Sequence, residues 1–166
     1  MNSKALIIGI LILAAAGIFF PRFFDGANAS AVDSSLVAHP LTYDFGEISM
    51  GDGIVRTDYT VSNDGASAIL IQDVFTSCMC TKAEILDSSG RTMGIFGMGG
   101  HEGGASGGVG RSIRIAPGGT VTVRALFDPA AHGPAGVGLA SRSIYIKTSS
   151  RQTPDLEVRF SALVKN

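Results

Sequence analysis

From residue 41 onward, runs of five to nine apolar and β-branched residues alternate with tight clusters of Gly, Asn, Asp and Pro, and this rhythm constrains the chain most. Such period-two runs bury one face of a strand, whereas a helix needs an apolar stripe every three or four residues. No stretch after residue 40 carries that stripe. The spacing predicts strands over residues 41–48, 54–62, 68–75, 82–86, 91–96, 111–115, 121–127, 143–147 and 156–164. Turn clusters at Met50–Gly53, Asn63–Gly65, Asp87–Gly90 and Pro117–Gly119 separate several of them. Val55, Thr57, Tyr59 and Val61 share one face, while the consecutive Ile69, Leu70 and Ile71 predict burial on both faces of their strand. The Gly-rich residues 97–110 read as an exposed loop insertion. Short strands at turn-limited spacing predict an all-β fold, an antiparallel β-sandwich of about 7–9 strands.

Ahead of this domain the chain opens differently. Lys4 precedes an apolar run from Ala5 to Phe20, Pro21 and Arg22 interrupt it before Phe23 and Phe24, and Ala27-Asn28-Ala29 follows. A basic start, an apolar stretch and an Ala-x-Ala pattern are the parts of a secretory leader. The uninterrupted run of 16 residues falls short of a spanning helix, which prefers about 20. Counting residues 5–24 reaches that length, with Arg22 able to snorkel to the interface. Residues 1–29 are thus expected to be a signal peptide, or else a membrane anchor formed by an N-terminal hydrophobic helix. Either reading makes residues 30–166 extracytoplasmic. Residues 30–40, rich in Ser and other small residues and ending at Pro40, read as a linker, which leaves 41–166 for the sandwich.

Charged residues make up 16% of the chain and the net charge is −1, so no basic patch supports nucleic-acid binding. The special chemistry lies in sulfur. The two cysteines stand two apart in Thr76-Ser77-Cys78-Met79-Cys80-Thr81, followed by Met93, Met98 and His101. Outside the cytoplasm a disulfide persists. In an extended strand, however, residues two apart have Cα atoms about 6.6 Å from each other. That is near the upper limit for a bridge, so a local disulfide requires a bend. Thiolate, thioether and imidazole together suit copper(I); Zn(II) would use the cysteines and histidines and ignore the methionines.

The segments Tyr43–Glu47 (YDFGE), Val61–Gly65 (VSNDG), Ser77–Thr81 (SCMCT), Ala116–Gly118 (APG) and Phe127–Pro129 (FDP), with a closing strand ending in Val164, resemble the bacterial "domain of unknown function 1573" family. The resemblance covers about residues 41–165 and rests on the ordered set. It implies a secreted or membrane-anchored immunoglobulin-like sandwich related to the major-sperm-protein-like domains, with no settled biochemical function. Three departures mark an atypical branch: Met79 stands where the common form has Gly between the cysteines, residues 88–110 replace a short connection, and His132–Gly136 (HGPAG) follows the strand ending at Phe127.

Antiparallel threading makes a spatial prediction. If successive strands alternate in direction, the turn at 49–53, the cysteine segment, the insertion 97–110 and the loop 128–142 all fall at one end, distal to a membrane anchor. Cys78, Cys80, Met98, His101 and His132 would then form a metal site for copper(I), with Met79 and Met93 as further thioethers. Each side chain also has a plainer reading: core filling for Met98 and Met93, solvation for His101, turn stabilisation for His132, and an inert bridge or buried thiols for the cysteines. Enzymatic readings are thinner. His132 could activate a Cys nucleophile, but no third orienting residue is identifiable. The Gly-rich loop lacks the Gly-Lys-Ser/Thr ending of a phosphate cradle. The expected function is a non-catalytic binding or assembly module for a protein partner or envelope component, meeting the membrane through residues 5–24 if the leader is uncleaved. The alternative is a thiol–disulfide redox protein using Cys78 and Cys80.

Overall fold

The computed structural model describes residues 33–99 and 112–166. The leader and anchor readings, His101 and most of the insertion lie outside the described residues. Among the described residues no helix is long and apolar enough to cross a membrane.

Among the described residues, ten strands form two five-stranded sheets. They are β1 (Leu36–His39), β2 (Thr42–Ser49), β3 (Val55–Asn63), β4 (Ile69–Thr76), β5 (Thr81–Leu86), β6 (Thr92–Phe96), β7 (Ile113–Ile115), β8 (Thr120–Phe127), β9 (Gly138–Thr148) and β10 (Asp155–Lys165). One sheet has the order β1-β3-β8-β5-β6 and the other β2-β10-β9-β4-β7. On three strands the alternation read from the sequence is the burial pattern observed: Thr57, Tyr59 and Val61 of β3 face inward, as do Val121, Val123, Ala125 and Phe127 of β8 and Leu156, Val158, Phe160, Ala162 and Val164 of β10, whereas Tyr43 on β2 is exposed. Inward-facing residues of both sheets make one core. Tyr59 spans it, its hydroxyl donating across the sandwich to the Arg159 carbonyl at 2.7 Å. Burial pushes that phenol well above its ordinary range.

The structure corrects the strand number, with it the extent of the linker, and the character of one sheet. The sandwich has ten strands rather than about 7–9, because β1 lies inside the segment read as linker. Only Leu36 and Ala38 of β1 point inward, too short an alternation to stand out in a Ser-rich stretch. The second sheet is also mixed rather than purely antiparallel, since β2 runs parallel to β10. Alternation fixes which face of a strand is buried but not which neighbour it pairs with.

Strand register defines two poles. At one, Asn63 ends β3, Ile69 starts β4 and Ile115 ends β7. Residue Ser34 is buried there and its hydroxyl accepts from the Ser67 N–H at 3.0 Å. At the other pole β3 begins opposite the end of β8 (Val55 against Phe127), and β5 begins opposite the same residue (Thr81 against Phe127). Strand β6 ends there too, with Phe96 paired to Ala83.

Outward-facing charges tune the acid limb of stability. Glu157 on β10 is held at about 2, below an ordinary 4.5, by hydrogen bonds from Arg159 and then Ser143. Asp87 is likewise held at about 2, chiefly by the Ser89 hydroxyl and the Arg91 N–H. A carboxylate depressed in the folded state stabilises it above the unfolded value and loses that contribution as pH falls through the folded one. The melting temperature of Glu157→Gln is therefore expected to fall less steeply than that of the parent between pH 4.5 and about 2. Both groups are solvent-facing, so the difference is modest. Parallel slopes in a thermal-melt series over that window would count against it.

Candidate sulfur centre

The cysteine segment is one of the crossovers between the sheets. Strand β4 of one sheet ends at Thr76, and β5 of the other begins at Thr81. The four residues between them turn rather than extend. The Thr81 N–H donates to the Cys78 carbonyl at 3.1 Å, and the Thr76 hydroxyl lies 3.0 Å from both the Cys78 and Thr81 carbonyls. This is the bend a local bridge requires. The Cys78 and Cys80 Cα atoms are 5.3 Å apart and the sulfurs are joined as a disulfide.

Neighbouring strands then bring nitrogen to each sulfur. The Asp128 N–H donates to the Cys80 carbonyl at 2.9 Å, fastening the start of loop 128–137 to the turn. The Asp128 carboxylate accepts from the Ala130 N–H at 2.9 Å, so the chain turns at once, and Gly133 adopts a positive φ of 55° just after His132. A Cβ at Gly136 would lie 3.3 Å from the His132 Cβ and 3.5 Å from the Met50 thioether methyl, so this glycine lets the loop close against the Met50–Asp52 turn. The result places His132 Nε2 3.3 Å from Cys78 Sγ. On the other side the Ser77 N–H donates to the Ser143 carbonyl at 3.0 Å, fixing β9 against the turn. Arg142 then donates Nε–H to Cys80 Sγ at 3.2 Å and Nη1 to the Ser141 carbonyl. Among the described residues no carboxylate pairs with this guanidinium.

Donor atoms of Cys78, Cys80 and His132 all lie within 4.8 Å of one another. The threading argument thus places Cys80 and His132 at the same pole. Of the other expected ligands, His101 lies outside the described residues. Met98 makes an isolated parallel bridge to Thr76, whose N–H donates to the Gly97 carbonyl at 3.0 Å, so the insertion departs from this pole. Met93 lies on β6 and is 40% exposed. Sequence reasoning did not find Arg142. It stands between two serines inside β9, one residue before the stretch that the sequence marks as a strand, with no motif around it, and only the register of β9 on β4 carries it to Cys80.

The two sulfurs differ in access. Cys80 is 3% exposed and packs in the core, whereas Cys78 is partly open and only packs against it. Met79, 68% exposed, stands at the rim of a cleft of about 340 Å³ walled by Ile54, Cys80, Ile95, Leu126 and Asp128. Two bonded sulfurs carry no thiolate, so cysteine ligation of a cation here requires reduction first.

Fold and site together define a class: an all-β two-sheet sandwich in which one crossover turn carries a nitrogen-flanked cysteine pair. Residues 37–91 match the family described as "Protein of unknown function (DUF1573)", so the resemblance read from the sequence holds over that segment. The chain is similar to a protein of unknown function from Porphyromonas gingivalis W83, with a TM-score of 0.54 and 19% identity over 85% of this chain and 51% of that one. It therefore spans about half the length of that protein. Weaker likenesses are to a PapD-like domain of human CEP192 (TM-score 0.46, 14% identity, 83% and 88% covered) and to the YadV chaperone (0.47, 8%, 79% and 52%). These concern the fold alone. No curated protein matches the chain.

Proposed function

We propose that this chain is an extracytoplasmic, immunoglobulin-like binding or assembly module whose sulfur pole, when reduced, holds a soft cation, copper(I). The observation that carries this reading is the 4.8 Å cluster of Cys78, Cys80 and His132 donors drawn from two separate segments. Two thiolates and an imidazole make a set that soft, low-coordinate copper(I) accepts. Met98, bridged to Thr76 just ahead of the cysteines, is a candidate for a fourth, thioether donor. Partner contact is supported by the apolar side chains this pole leaves in solvent, Ile54, Met79 and Leu139, and by the exposed Tyr43 of edge strand β2.

The test is a copper(I) titration of the reduced and oxidised full-length chain against a competing chelator. Reduced protein is expected to retain one equivalent, while oxidised protein and Cys78→Ser/Cys80→Ser retain none. His132→Ala should weaken binding beyond the roughly 10–100-fold lost when only an outer-shell partner is removed. Equal retention by reduced protein and the double variant would overturn the reading.

A further inference from the structure

We propose that the same pole also exchanges disulfides, with Cys78 as the sulfur attacked and Cys80 as the sulfur that leaves. The inference requires no metal and rests on three features of the oxidised site. Cys78 is partly open and Cys80 is buried, so an incoming sulfur reaches Cys78. Exchange is faster when the departing sulfur is the better-stabilised anion. Arg142 supplies that stabilisation, with its Nε–H 3.2 Å from Cys80 Sγ and no carboxylate partner among the described residues to compete for it. The Thr81 hydroxyl is a second neighbour of Cys80 Sγ at 3.8 Å. Cys78 has its own waiting partners for the second step, the Cys80 N–H at 3.4 Å and His132 Nε2 at 3.3 Å.

The co-reactant is a dithiol, or a pair of thiols, presented by a partner. A partner thiolate, its proton lost to solvent, attacks Cys78 Sγ. A partner–Cys78 bond forms, the Cys78–Cys80 bond breaks, and its electron pair leaves on Cys80 as a thiolate beside Arg142. A second partner thiolate then attacks the partner's sulfur of the mixed disulfide, and Cys78 departs as a thiolate next to the Cys80 N–H. Two partner thiols are oxidised to one disulfide, and the protein's disulfide is reduced to two thiols after proton uptake from solvent. The reverse direction uses the same atoms.

Three measurements on the full-length chain test this. Thiol counting across dithiothreitol redox buffers should show the pair passing from bridged to free at a defined potential; a pair that stays bridged or stays free at every poise overturns the proposal. In single variants, Cys78 of Cys80→Ser is expected to form a mixed disulfide with glutathione disulfide at least about tenfold faster than Cys80 of Cys78→Ser, in line with its access. Equal or inverted rates overturn the assigned direction. Finally, Arg142→Gln should stabilise the dithiol about tenfold less, a shift of ~30 mV to more negative potential, with slower reduction by dithiothreitol. Arg142→Lys should recover part of both. Since Arg142→Gln is also checked for an unchanged melting curve, an unaltered potential in a folded variant removes Arg142 from the scheme. The copper titration is read on protein reduced beforehand, so its failure leaves these three outcomes standing; of theirs, only a pair that stays bridged at every poise also removes the copper reading, because it never frees the thiolates.

Discussion

Phe160→Ala is expected to lose about 3–5 kcal/mol of stability, the range for truncating a fully buried aromatic ring. Phe160 is 2% exposed on β10. Its ring meets Phe45 of β2 edge-on at 5.5 Å and Phe127 of the opposite sheet at 5.3 Å. Removing it takes away its own burial, two aromatic contacts and the filling between the layers, and the β-sheet backbones on either side cannot collapse inward to close the gap. The loss should appear as a lower urea midpoint with an unchanged slope, because the surface exposed on unfolding hardly changes. Phe127 also ends β8 immediately before Asp128, whose N–H holds the Cys80 carbonyl. The variant is therefore expected to loosen the sulfur pole, read as faster modification of reduced Cys80 by a thiol reagent. A midpoint within the error of the parent would mean that the two sheets are not packed through this ring.

Asn63→Leu is expected to destabilise by about 2–4 kcal/mol despite adding apolar volume at a fully buried position. The side chain closes the pole opposite the cysteines. Its Nδ2 lies 2.8, 3.1 and 3.2 Å from the carbonyls of Ser67, Ile115 and Ala116, and its Oδ1 accepts from the Gly65 N–H at 3.1 Å. The Asn63 backbone adds two more bonds, to Gly119 and from Gly118. One amide thus ties the β3–β4 turn to the β7–β8 turn. Leucine offers neither donor nor acceptor, and each buried group left unpaired costs about 1–3 kcal/mol. Asp keeps the acceptor but sets a buried carboxylate against three carbonyl oxygens, so Asn63→Asp should be at least as destabilising as leucine. Thermal melts of the three proteins check the order; leucine equal to asparagine would sink the argument.

Most of the sandwich was legible because the apolar period of two survives in Val55–Val61 and in the closing strand, and because turns such as Asn63-Asp64-Gly65 are chemically explicit. What stayed hidden was decided by neighbours rather than by local pattern. Strand β1 has only two inward residues. The parallel partnership of β2 with β10 joins segments about a hundred residues apart in the chain, and no local signal encodes it. The candidate site divides the same way. Strand parity alone was enough to bring His132 to the cysteines, since direction alternates whether or not the exact register is known. Arg142 required the register itself, because one residue of slippage would turn its side chain to the other face.

The Cys78–Cys80 bond closes a ring of only three residues, and that brevity has a consequence for the molecule as a whole. A cross-link stabilises a fold chiefly by restricting the unfolded chain, and so short a ring removes only about 1–2 kcal/mol of that freedom, against nearly 5 for a span of a hundred residues. The backbone bonds Thr81 to Cys78, Asp128 to Cys80 and Ser77 to Ser143 hold the turn without help from sulfur. Opening the disulfide is therefore expected to leave the architecture beneath it almost unchanged, read as nearly equal melting temperatures for the oxidised and reduced chain.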